Sequence, residues 1–326
     1  MTINITDIVT EYGAYYQEKG QGVGNLYEVA MQEFVTKDIF TLMITRDTKW
    51  TAAKSQIDSL VQPFQKAFTP RSGSIEFDPI SILQHHIKVD DSLYPDDVMP
   101  SWLGFLASNA NERAQWPFIR WYLEKKFFPK IGEDMELNEI GIGSVATPTP
   151  GTAGAVKTSM NGVQTVLNGH ISAGRTVPIS MGTIPTDNVD FVLYMEDFVD
   201  QINKQYWRKD MQVHLSQDLE RRYQRGHAKY YGKETNTVVG KGGTKQIEFS
   251  SISVNGLPSM NKKADGNASN RIFCTPKENA VLMMSEANPF QKLELQAFER
   301  QVKFLTDWYM GVGFILPEIV FCNDQE

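Results

Sequence analysis

The chain has 326 residues, of which 41% are hydrophobic, 22% charged and 11% aromatic. That composition excludes a disordered chain, a collagen-like repeat and a coiled-coil rod. Its 32 Lys and Arg against 39 Asp and Glu leave a net charge of −7, which argues against wholesale coating of nucleic acid.

Two cysteines, Cys274 and Cys322, make no disulfide framework, and their apolar neighbours predict buried, inert thiols. The longest apolar run, Met310 to Cys322, holds Pro317 and Glu318 and is too short to span a bilayer. The mixed first ten residues lack the apolar stretch of a secretory leader, so the expectation is a soluble protein of a reducing compartment.

In chain order, the first seventy residues are expected to be mainly helical. Leu26, Val29, Ala30, Phe34 and Val35 recur at helical spacing, and Ile57, Leu60, Val61 and Phe64 repeat the pattern within Ala52–Phe68. Ser74–Val89 then alternates like strands, and Asp90–Asp97 closes it as a turn-rich acidic segment. Ser101–Ser108 is expected to be helical. Pro117 opens a longer helix through Phe118, Ile119, Tyr122, Leu123 and Phe127, which Pro129 is expected to stop.

Residues 140–190 are rich in Gly, Thr, Pro and Ser around a short helical signal at Val163–Leu167. Asn188–Tyr194 is a strand candidate. Ser216–Tyr231 is a helix with Ser216 as its N-cap. Strands follow at Arg271–Thr275, Ala280–Met284, Phe298–Leu305 and Val312–Cys322. The class is α+β.

Catalytic and metal motifs are hard to find. None of the five histidines pairs at i,i+4, and adjacent His85 and His86 would face opposite sides of a strand. Gly240–Lys245 has the composition of a phosphate loop in the wrong order, and Gly20–Gly24 has no preceding strand. The carboxylates of Asp90–Asp97 and Glu133–Glu139 leave open an acidic cleft, although such clusters usually solvate a surface. Asn203–Lys245 carries ten Lys and Arg against four Asp and Glu, with Arg221, Arg222 and Arg225 clustered on one helix. Acidic and basic stretches in separate places favour self-complementary assembly.

Pro70–Val98 is a long alternating stretch without a core of its own. As a hairpin its arms could each reach up to ~45 Å, and an isolated hairpin is marginal in water. A neighbouring subunit is the expected support.

Several local patterns, taken in order, resemble the major capsid proteins of tailed double-stranded DNA phages, with the Hong Kong ninety-seven-type fold. Phe77-Asp-Pro-Ile-Ser-Ile-Leu through Tyr94-Pro-Asp-Asp resembles the extended E-loop. Ser101-Trp-Leu-Gly-Phe-Leu and Trp116-Pro-Phe-Ile-Arg-Trp-Tyr-Leu resemble the lead into the spine helix. Val192–Gly232 and Arg271–Asn279 resemble the axial (A) domain and the strand leaving it, and Val302–Phe321 the closing strands of the peripheral (P) domain. The likeness is nearest to capsid proteins of phages infecting gut Bacteroidetes-type hosts.

The resemblance implies an N-terminal arm and helices over residues 1–69, the E-loop over 70–98, and the spine helix with the first part of the P domain over 99–139. The A domain would occupy 140–285 and the closing strands 286–326. It implies a structural virion subunit that forms hexamers and pentamers of an icosahedral shell around packaged double-stranded DNA. No catalysis, cofactor, metal or membrane is implied. Scaffolding and portal proteins would be separate partners, and assembly would take place in the host cytoplasm. Ile75, Phe77, Ile80, Ile82 and Ile87 would contact an adjacent subunit through the E-loop, and Arg221, Arg222 and Arg225 another through the A domain. The alternatives are an enzyme-enclosing nanocompartment of the same fold and a soluble hydrolase with an acidic cleft.

Overall fold

The computed structural model describes residues 8, 10, 35–56, 63–67, 76–108, 116–207, 209–232, 245–286 and 293–325. A short helix α1 (Val35–Ile39) leads into strands β1 (Thr41–Ile44), β2 (Lys49–Gln56), β3 (Glu76–Leu83) and β4 (His85–Leu93). The expected helix at Ala52–Phe68 therefore begins as a strand. Its first residues are held by ladder bonds to β3, in register from Lys49↔Leu83 to Gln56↔Glu76. The apolar positions that suggested a helix come after that strand. Of these, Ile57, Leu60 and Val61 lie outside the described residues, as does most of the helix expected at Asn25–Asp38.

Helix α2 (Pro95–Ser108) starts inside the segment expected to be an acidic turn. Asp96 and Asp97 sit in its first turn, where the helix dipole favours negative charge. The next helix, α3 (118–142), does not stop at Pro129. Two π-type turns interrupt it, at Leu123–Phe127 and Met135–Ile140. The first ends just before Phe128-Pro129. A widened turn relieves the clash between a proline ring and the preceding carbonyls, so the helix continues through a residue that would break a regular one. Its 25 or so residues span about 37 Å.

The second half of the chain supplies α4 (Val163–Ser172), α5 (Asn188–Asp200), β5 (Met211–Ser216), α6 (Gln217–Tyr230), β6 (Lys245–Gln246), β7 (Ser253–Leu257) and β8 (Phe273–Pro276). Asn188–Tyr194, a strand candidate by sequence, is helical. The Asp187 carboxylate accepts from Val189 N at 2.7 Å, and Phe191, Val192, Met195, Phe198 and Val199 are buried at helical period. Ser216 caps α6 as expected by accepting from Leu219 N. Strands β9 (Ala280–Met284), β10 (Glu294–Phe298), β11 (Gln301–Phe314) and β12 (Phe321–Cys322) close the chain.

The strands form two five-stranded sheets and a two-stranded ribbon. In the first sheet the order is β1-β9-β11-β10, with β4 paired to β11 as well. The second runs β12-β8-β5-β7-β6, and the ribbon is β2-β3. Sheet membership crosses the expected domain limits, because β9 belongs to the first sheet while β12 returns to the second. Each sheet has its own core. One gathers Phe118, Ile119, Phe128 and Ile140 of α3 with Phe304 and Met310 of β11. The other gathers Phe191 and Phe198 of α5 with Val213 and Leu215 of β5.

His214 lies at the seam between the cores. It alternates with Val213 and Leu215 on β5, so its ring faces the first core, against Phe40 (centroids 5.6 Å apart) and Phe273 (4.8 Å). It is fully buried and, among the described residues, neither ring nitrogen has a hydrogen-bond partner. Burial lowers its pKa to about 3, so the ring is neutral. The unfolded chain takes up this proton below its ordinary value near 6.5, whereas the folded chain does so only near 3. Stability is therefore lost as pH falls through that window. Denaturant unfolding should show His214→Leu losing about 2 kcal/mol less than the wild type between pH 8 and pH 5. Equal losses would mean that the imidazole is protonated in the fold.

Candidate functional site

The surfaces that the sequence assigns to assembly are the long alternating stretch and the arginine-bearing helix. The first is built differently from expectation. β3 and β4 do not pair with each other over 70–98. β3 pairs with β2, and β4 runs antiparallel to β11 from Leu93↔Val302 to His85↔Met310. The ribbon is therefore formed by Lys49–Gln56 and Glu76–Leu83, and residues 70–75 of the expected loop lie outside the described residues. The switch is visible in burial, because Ile80, Ile82 and Gln84 face inward at even positions whereas Ile87 and Val89 do so at odd ones. A one-residue shift turns every side chain to the other face, and it separates the two strands.

Ile80, Ile82 and Ile87 are consequently buried within this chain, at 2%, 3% and 4% exposure. Ile82 packs on Val281 and Met283, and Ile87 joins the first core opposite Trp308. Ile87 is covered within the chain because β11 pairs with β4 along its whole length, and Ile82 because it packs on β9. Phe77 stands on β3 opposite Ser55, and Ile75 lies outside the described residues.

The base of the ribbon is seated on β11 by two missing side chains. A Cβ on Gly311 would come 2.0 Å from the Leu83 carbonyl oxygen, and one on Gly313 would meet Ile82 at 2.8 Å. Gln84 completes the joint. Its backbone N donates to Thr48 O at 2.8 Å and its side-chain amide to Thr45 O at 3.0 Å. Sequence reasoning missed this joint, although a Gly-Val-Gly step inside an apolar strand is a recognisable sign of close backbone approach.

The arginines of α6 do not act as a set. Arg222 turns inward, donates to Pro185 O and lies 5.1 Å above the Phe191 ring. Arg221 and Arg225 are exposed and meet no carboxylate among the described residues. At the far end of α6, buried His227 bonds Glu248 at 2.9 Å and Tyr231 donates to Glu196 at 2.7 Å. Beside them, the Ile247–Ser250 turn holds Phe249 at φ 60° with its ring 94% exposed. A bulky residue in left-handed backbone is strained, and here burial offers no compensation.

The carboxylate clusters are each engaged separately. Lys88 pairs with Asp90, Tyr122 donates to Asp91 at 3.1 Å, and Lys130 bridges Glu133 and Asp134. Glu136 and Glu139 are buried on α3. Glu136 accepts from the Thr36 hydroxyl at 2.7 Å and backbone N at 3.3 Å, tying α1 to the helix. Burial raises its pKa, opposed by the Thr36 and Ser259 hydrogen bonds. Glu139 accepts from Lys157 N at 2.8 Å and Ser159 N at 3.0 Å, holding the glycine- and proline-rich loop. No two of these carboxylates pair, and among the described residues no group of three His, Cys, Asp or Glu could hold a metal ion. His86 bonds Asp307 at 2.7 Å and stacks on Tyr309, while burial lowers the pKa of His85. Both cysteines are buried and free, and burial raises Cys322 to about 11. The glycine-rich segments at Gly20–Gly24 and Gly240–Thr244 lie outside the described residues, and among those described no helix is long and apolar enough to cross a membrane.

No protein-family profile and no curated protein sequence matches the chain. Solved structures do. A chain of the satellite phage P4 procapsid that includes the size determination (Sid) protein aligns over 92% of this chain and 89% of its own, with a TM-score of 0.56 and 11% identity. A chain from the capsid of the empty GTA particle aligns over 89% of each, with a TM-score of 0.51 and 10% identity. A chain of the holo-SrpI encapsulin complex from Synechococcus elongatus PCC 7942 aligns over 90% and 86%, with a TM-score of 0.51 and 9% identity. At such identity the likeness is one of fold. The chain has the α+β phage-capsid fold, of the Hong Kong ninety-seven type.

Three substitutions check this geometry. Gly311→Ala forces a methyl group into the Leu83 backbone and should cost about 1–3 kcal/mol in denaturant unfolding. Gly104→Ala, on α2 with nothing within 4 Å of the new Cβ, should instead stabilise by up to ~1 kcal/mol. Phe249→Gly should leave stability unchanged or higher. It removes about 1–2 kcal/mol of left-handed strain and adds about 0.5–1 kcal/mol of chain entropy. A clear loss of stability would show that the exposed ring packs against the fold.

Proposed function

We propose that the chain is the major capsid subunit of a tailed double-stranded DNA phage, building hexamers and pentamers of an icosahedral shell. The observation that carries this reading is a two-stranded ribbon clamped at its base to the sheet of a capsid-type fold. Such a ribbon commits many backbone groups to a projection with no core of its own, and contact with a neighbour gives it support. Assembly is the mechanism, and many modest contacts summed over a closed shell supply its stability.

In this reading the projecting end of the ribbon, including Ile75 and Phe77, lies over an adjacent subunit, and Arg221 and Arg225 face another copy. The net acidity of the chain suits an inner wall that does not adhere to packaged DNA. Scaffolding and portal proteins are separate partners, the shell forms in the host cytoplasm, and the finished location is the virion capsid. Kinship with phages of gut Bacteroidetes-type hosts rests on the local sequence patterns. A second reading, a nanocompartment enclosing an enzyme, is favoured by the likeness to the encapsulin chain.

Light scattering and negative-stain imaging of the purified chain across salt and concentration test the proposal. The expected result is shells, rings or sheets. A monomer with a radius of gyration fixed near ~20 Å at every concentration would overturn it. Shells recovered from cells with a bound enzyme and no DNA would favour the nanocompartment.

A further inference from the structure

Helices α5 and α6 carry opposite charges on their exposed faces. On α5, Asp190, Leu193, Asp197 and Asp200 are exposed and recur at three- and four-residue spacing, which places them in one stripe. The helix contains no Lys or Arg, and among the described residues no cation pairs with these three aspartates. On α6, Arg221 and Arg225 stand one turn apart on the exposed side. Arg222 is held inward, and Lys229 lies near Asp187, the cap of α5.

The two helices form one rigid layer. Arg222 lies over Phe191, a Cβ on Gly226 would meet Asn188 O at 1.9 Å, and Tyr231 bonds Glu196. With no ion pair between the stripes, the charges are not neutralised among the described residues. Three like charges along one helix repel each other, and that repulsion is relieved only by cations from elsewhere.

We propose that the acidic α5 stripe of one copy docks on Arg221 and Arg225 of α6 in the next copy. The idea rests on the shell-subunit reading and adds the missing half of the contact. Asp197 and Asp200 are separated by about 4.5 Å of helix rise and Arg221 and Arg225 by about 6 Å, so both pairs fall within side-chain reach of one another. Arginine forks match carboxylates, and Leu193 supplies an apolar patch in the same stripe. Each copy offers both faces, so the contact is head-to-tail and repeats into a ring when the rotation closes.

Charge reversal tests the inference. R221E/R225E and D197K/D200K alter exposed side chains, and circular dichroism should confirm that both variants fold. Each should raise the concentration needed for assembly by roughly tenfold or more, as like charges then face each other. The chain carrying all four changes should assemble near the wild-type concentration, because the faces are again complementary. Double variants that assemble like the wild type, or a folded fourfold variant that stays dispersed, would overturn the contact and leave the shell reading standing. A wild type that never assembles would overturn both.

Discussion

The structure depends on one strand. β11 pairs with β10 at its start, β4 along most of its length and β9 at its end, so it joins segments from both halves of the chain. Its outward alternation places Val302, Phe304 and Met310 in the first core. Where β4 ends, Gly311 and Gly313 leave space for Ile82 and Leu83 to lie directly on the strand. A single strand thus closes the sheet and fixes the direction in which the ribbon leaves it. Side chains at the two glycines would push the ribbon away from its seat.

Buried polar groups secure the connections between the units. Glu136 and Glu139 project from α3 at its second π-type turn, one toward Thr36 and the other toward the loop at Lys157 and Ser159. Each carboxylate satisfies backbone donors that would otherwise be buried without partners, and such bonds lose more when broken than neutral ones. His214 works in the opposite sense. It fills the seam as a small aromatic ring, with neither nitrogen bonded among the described residues, and makes the junction sensitive to acid. A fold with two cores gains from directional bonds at the joint between them, whereas apolar contacts alone allow sliding.

Local capping decided which parts of the sequence could be interpreted. Ser216 preceded a long amphipathic run, so α6 was legible. Asp187 preceded an equally good helix, but the window Asn188–Tyr194 was too short to separate helical from alternating burial. Pro129 suggested an ending because proline breaks regular helices, and the π-type turn before it is not written in any local motif. The candidate arginines divided for the same kind of reason. Spacing placed Arg221, Arg222 and Arg225 on one helix, but only the position of α5 determined that Arg222 would be covered.

The sequence by itself determined the α+β class, the alternation of the strand-forming segments, the burial of both cysteines and the resemblance that the fold then matched. Periodicity records which face of an element is apolar, and that property is local. The tertiary structure alone decided what covers each face. β3 and β4 both alternate, yet one pairs with β2 and the other with a strand more than two hundred residues away. Pairing across such distances depends on the summed fit of whole surfaces and on a few close approaches, such as Gly311 against Leu83, that no short stretch of sequence contains.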